Sequence, residues 1–190
     1  DLSDDAPVTE AYRALRGSIL RTEVYAHDHS SDQNFPYLVT EQTYRVQTKQ
    51  SKSINSHAVF LTTSKEAISY HYERQHHGNA LLDPRVQHTI TVAVDQYGNP
   101  AQSASIAYRR RQANHAEQQQ DLISFTRNEY ATPRDTQVDF RHSALVSSQQ
   151  YQLSGLQRAP NNSYSASEVD NAFVQAQLIG YEEQPTAGQL

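Results

Sequence analysis

Nine histidines are the residues of this chain with the most chemistry to offer. His71, His76 and His77 fall close together, and His88 follows shortly after them. Three or four imidazole or carboxylate groups converging on one point would hold a metal ion. On a strand His71 shares a face with Ser69 and Glu73, which makes a His71/Glu73 pair conceivable. His76 and His77, however, adjoin Gly78 and Asn79, a loop composition in which polar residues need no chemical reason. The loop reading is preferred, and no metal ligand is assigned. Arg109-Arg110-Arg111 is the one basic run, and it closes a patterned strand, so its side chains alternate between faces. Nucleic-acid binding would need a wider basic surface with aromatic platforms, and the net charge is -5. That class is set aside in favour of a solvated strand end or salt bridges to a partner.

Covalent catalysis finds no support. The chain has no cysteine, and it contains neither a G-x-S-x-G elbow nor H-E-x-x-H. The absence of cysteine also excludes disulfides and thiolate zinc sites. The carboxylate pairs Asp4-Asp5 and Glu182-Glu183 lie near the ends, and a glycosidase acid/base pair cannot be read from spacing because its members come from different strands. Twelve tyrosines and no tryptophan raise a sugar-binding face, with Tyr70 and Tyr72 as its best members. Cross-strand packing accounts for such tyrosines equally well and is preferred. Asn161-Asn162-Ser163 matches a glycosylation sequon, a signal too short to use. Catalytic, cofactor and metal residues are therefore all read as none.

The elements that carry these residues are mostly strands. The sharpest pattern runs from Val86 to Arg111. Ile90, Val92 and Val94 alternate with polar or small residues, then Asp95 to Pro100 packs turn formers, then Ala104, Ile106 and Tyr108 alternate again. This predicts a β-hairpin with Gly98 at a positive φ. The hairpin's inward residues are modest in size, too few to close a core beside such polar neighbours.

Thr9 is placed to cap a short helix over 10–16, closed by Gly17. Strands are predicted over Ile19–His27 and Tyr37–Thr48. A hairpin is expected from 57–63 and 67–74, turning at Ser64-Lys65-Glu66. Leu122–Tyr130 and Phe140–Leu153 complete the strands. Ser165 or Ser167 is set to cap a helix from Glu168 to Ile179, with Val169, Phe173, Ala176 and Ile179 near one face.

Composition agrees with an exposed β-structure. Only 36% of the 190 residues are hydrophobic, while 19% are charged, which is neither a thick core nor the profile of a disordered chain. No apolar run approaches a membrane span, and no signal sequence is evident. The chain starts at Asp1 and contains no methionine, and is expected to be a segment of a longer protein. The fold class is mainly β, with antiparallel strands and hairpins and one or two short helices. Residues 1–17 are read as linker and short helix, 18–156 as the strand region, and 157–190 as helix and tail.

Several strands carry a more specific wording. EAYRALRGSILRTEVYAHD followed by PYLVTEQTYRVQ resembles the middle-to-C-terminal region of the B component of bacterial insecticidal toxin complexes, the Tc toxins. In that family a helix ending in A-L-R-G runs into an L-R-x-E-x-Y strand and then a P-Y-x-V-x-E-x-x-Y strand. AISYHYERQ, the hairpin DPRVQHTITVAVDQYGNPAQSASIAYRRRQ, LISFTRNEYA and YQLSGL follow in the same order. The resemblance spans Thr9 to Leu156; residues 30–34 and 49–55 are not distinctive, and 76–78 match no part of it. It implies a segment of a hollow β-shell related to Rhs/YD-repeat proteins, secreted as a virulence factor, enclosing a cytotoxic cargo. The implied partners are the cargo-bearing C component and the rest of the B component, with the A component reached through other parts. It implies no enzyme activity, cofactor, nucleic acid or membrane contact for this segment, because the family's release chemistry belongs to the C component.

The alternatives are a β-sandwich module that binds carbohydrate or protein, and a metal-dependent enzyme using His71, His76 and His77. A shell segment cut from its neighbours exposes strand edges. The 190-residue piece alone is accordingly expected to be poorly stable or oligomeric. Calorimetry and size-exclusion chromatography check this, and cooperative unfolding of a monodisperse monomer would count against it.

Overall fold

The computed structural model describes residues 8–77, 80–158 and 162–176. It divides into two compact units, Asp1–Val86 and Gln87–Leu190. The chain is mainly antiparallel β, as its alternation requires.

The first unit opens with helix α1 (Val8–Ala14). Thr9 lies inside that helix rather than capping it, but Gly17 ends the following turn as expected, at φ 86°. Strands β1 (Arg21–Val24), β2 (Leu38–Gln50) and β3 (Val59–His71) form an antiparallel run in that order. The expected turn at Ser64-Lys65-Glu66 does not exist, since β3 passes straight through it. Thr43 pairs with Glu66 and Tyr44 with Ser64, so Lys65 is the extra residue of a bulge. A polar triplet on an exposed strand mimics a turn signal, and only the length of β2 opposite shows that pairing continues. The true reversal is the polar stretch 51–58. His76 and His77, read as loop, form a two-residue strand β4 (His76–His77) against β5 (Ala80–Leu81).

The second unit is built on β6 (Arg85–Val94), β7 (Pro100–Ala107), β8 (Leu122–Tyr130) and β11 (Leu145–Leu153), antiparallel in the order β6-β7-β8-β11. A short 3-10 helix, Ala116–Gln119, lies between β7 and β8, and the pair β9 (Arg134–Asp135) and β10 (Phe140–Arg141) lies between β8 and β11. The single strand expected over 140–153 is thus split, because Ser143 adopts φ 59° and breaks the extended run.

The β6–β7 turn is as predicted. The carboxylate of Asp95 accepts the backbone N–H of Tyr97 at 2.8 Å and of Asn99 at 2.9 Å, while Gly98 sits at φ 88°. Helix α2 (Ala166–Gln175) starts at Ser165 with a reciprocal cap: Ser165 Oγ accepts the Glu168 N–H, and Glu168 accepts the Ser165 N–H at 2.7 Å. Ile179, placed on this helix by its periodicity, lies outside the described residues.

Strand parity decides the two faces of this sheet. His88, Ile90, Ala104, Ile106, Ile123, Phe125 and Leu153 point to one side and are buried. The hairpin does not close this core alone; β8, β11 and α2 supply the rest. Val169 of α2 is fully buried, and the Phe173 ring stacks on Phe125 with centroids 4.1 Å apart. On the other side the register aligns Thr89, Ser105, Ser124 and Gln152 in one row and Thr91, Ser103, Thr126 and Gln150 in the next. Neither row contains a charge.

Truncating Phe125 to alanine should cost about 3–5 kcal/mol by opening a cavity beneath α2. Gly98→Val should cost about 1–2 kcal/mol by forcing a β-branched residue into the left-handed region. Denaturant unfolding of the full-length protein measures both, and unchanged stability in the Gly98 variant would show that the turn does not need positive φ.

Candidate functional site

The histidines singled out above do not converge. Glu73 has φ 57°, so the chain leaves the strand after His71 and Glu73 no longer shares its face; it pairs instead with Arg85. His76 stacks on Phe35 with centroids 3.7 Å apart, and its Nε2 lies 3.2 Å from Asp32. His88 belongs to the second unit. No group of three or more ligating side chains suited to a metal occurs among the described residues. Tyr70 and Tyr72 stack on each other, with centroids 6.2 Å apart, and both are half-buried. Arg109 to Arg111 lie beyond the end of β7 rather than on it.

What each unit does bring together is a polar knot. In the first, the Arg74 guanidinium donates to Asp28 at 2.7 Å, to Ser30 Oγ at 2.6 Å and to the carbonyl of Asp32 at 3.2 Å, while lying over the Tyr37 ring. Arg74 itself sits at φ 58°, which swings its side chain back across the loop before β2. Hydrogen bonds from Arg74 and Ser30 hold the Asp28 carboxyl well below the usual carboxylate range. The knot fastens the loop between β1 and β2 to the end of β3.

The second knot is more deeply buried. Asp121, just before β8, accepts the backbone N–H of Arg109 at 2.8 Å through Oδ1. Its Oδ2 accepts Arg158 Nε and the Tyr164 hydroxyl, both at 3.1 Å. Burial pushes the Asp121 carboxyl up, but those three donors outweigh it and hold the group below its usual range. Burial and the adjacent Asp121 charge push the Tyr164 phenol up to about 12. Arg158 also lies over the Tyr108 ring, 4.6 Å from its centroid. The Tyr108 hydroxyl accepts the backbone N–H of Tyr164 at 3.0 Å and lies 2.8 Å from Nδ1 of buried His88.

With both oxygens of Asp121 engaged by three donors, the cluster acts as a tether. It ties the chain after β11 to the β7 and β8 ends and so seats α2. Spacing could not reveal it, because Tyr108, Asp121, Arg158 and Tyr164 share no period. One signal was present: His88 falls on the apolar parity of β6, with Ile90 and Val92.

Removing one partner of a buried ion pair strands the other. Arg158→Met should therefore lower stability by about 3 kcal/mol. The pH dependence has two limbs. The Asp121 contribution is present above the ordinary aspartate value of about 4 and fades as acid passes its lowered value. The Tyr164 contribution is whole below the free phenol value of about 10 and is lost as pH rises towards about 12. Thermal midpoints against pH check this, with Tyr164→Phe expected to shrink the alkaline limb, to which Tyr25 and Tyr70, also raised, still contribute.

The insecticide toxin TcdB middle/C-terminal region model matches residues 10–156 of this chain. No curated protein matches it. Among solved structures the fold is similar to the crystal structure of TcdB2-TccC3, with TM-score 0.66 and 24% identity over 79% of this chain and 8% of that one. The crystal structure of TcdB2-TccC3-Cdc42 gives TM-score 0.64 and 24% identity over 75% and 7%. A Photorhabdus luminescens Tc holotoxin pore gives TM-score 0.66 and 23% identity over 80% and 8%. The chain spans less than a tenth of the length of these solved chains.

Proposed function

Since this chain belongs to the insecticide toxin TcdB middle/C-terminal region family, we propose that it is a non-enzymatic wall segment of a hollow β-shell in a secreted toxin complex. The shell encloses a cytotoxic cargo carried by the C component. The partners of the segment are the C component and the remaining strands of its own B component; contact with the A component falls to other parts. The observation that carries this reading is the family match over residues 10–156. The structures of TcdB2 with TccC3 support a C-component partner at the level of fold. The strand design is in keeping with it: the sheet of the second unit keeps a polar face, as a wall with water on both sides requires.

Co-expression of the full-length protein with its C component tests the reading. A stable complex that protects the cargo from protease is the expected result. Phe125→Asp, which places an unpaired charge in the core of the second unit, should abolish that protection. Full protection by this variant would remove the segment from the wall.

A further inference from the structure

The two faces of the second unit's sheet differ in what they can meet. One is closed by α2 and the chain leading to it, through Val169 and Phe173. The other is paved by the two uncharged rows described above, with Thr89, Ser105, Gln150 and Gln152 exposed and Thr91, Ser103, Ser124 and Thr126 half-buried. A surface built for bulk water carries acidic and basic residues at about a quarter to a third of its positions. Charge is not foreign to these strands: Arg127 and Glu129 pair at 3.7 Å on the α2-side parity of β8, and Arg21, Glu23 and Glu41 form a ladder in the first unit. It is missing from the rows.

Resting on the shell reading, we propose that this hydroxyl and amide face is the lumen side of the wall and that its occupant is the enclosed cargo polypeptide. The argument is one of charge. A fixed positive or negative lining would hold cargo segments of opposite sign and repel the others. Serine, threonine and glutamine hydrogen-bond to water and to peptide groups alike and carry no sign. They accommodate a long chain of mixed charge without trapping any part of it. The α2 side, whose outer residue Val174 is 74% exposed, then faces away from the cargo.

The test uses the full-length protein assembled with its C component, with single thiols introduced in a background otherwise free of cysteine. Ser105→Cys and Thr126→Cys sit on the rows and Val174→Cys on the outer side of α2. Each is coupled to a benzophenone maleimide before assembly. In parallel, each assembled complex is treated with a polyethylene-glycol maleimide too large to pass a closed wall. The expected result is cross-linking to cargo from positions 105 and 126 but not 174, and loss of polyethylene-glycol labelling at 105 and 126. Cross-linking to cargo from 174 alone, cross-links from the rows only to the B component or none at all, or labelling of the rows in the intact complex would each overturn the assignment. Failure of the unsubstituted protein to assemble with the C component would instead overturn the shell reading and this assignment with it.

Discussion

The second unit depends on the return of its chain across the sheet after β11. A strand that alternates apolar and polar residues can bury only one face, and a four-stranded sheet leaves that face open unless something covers it. Phe173 on Phe125 and Val169 beneath it supply the cover. Their position is in turn held by Asp121, Arg158 and Tyr164, which pin the chain just ahead of the helix. The apolar contact and the polar knot work as one device. The core provides the driving force, while the directional bonds choose which way the segment crosses.

The first unit solves a smaller problem by similar means. It has few buried residues, and α1 contributes Ala11 alone among its fully covered side chains. Arg74 there ties the loop before β2 through hydrogen bonds to Asp28, Ser30, Asp32 and Tyr37. Such partly exposed ion pairs contribute little each, so the value of the knot is geometric. A positive φ at Glu73 and Arg74 turns the chain, and the guanidinium holds the turn against the loop. Both units show polar residues fastening connections that the thin apolar faces cannot fasten alone.

Much of this was legible in the chain itself, and the failures are instructive. The hairpin at β6–β7 and the span of β8 follow from period-2 alternation bounded by strong turn residues. The serine cap of α2 follows from Ser165 with Glu168 three residues on. Ser64-Lys65-Glu66 was misread because a bulge and a turn share their composition; the difference lies in the partner strand. Phe140–Leu153 was read as unbroken because nothing in Ser143 announces a left-handed backbone. The His71, His76 and His77 grouping was a matter of sequence proximity. The backbone reverses at Glu73 and Arg74, His76 beyond it goes to Phe35 and Asp32, and no ligating group of three forms among the described residues.

Alone, then, the sequence determined the β class, the central hairpin with the parity of its two strands, and the family, because these rest on local periodicity and ordered local wording. Tertiary structure decided the register that lines up the two neutral rows, the continuity of β3, and the meeting of Tyr108, Asp121, Arg158 and Tyr164. Those depend on which strand lies opposite and where the chain returns. No residue carries that information in its own neighbourhood, because pairing and burial are properties of segments far apart in the chain.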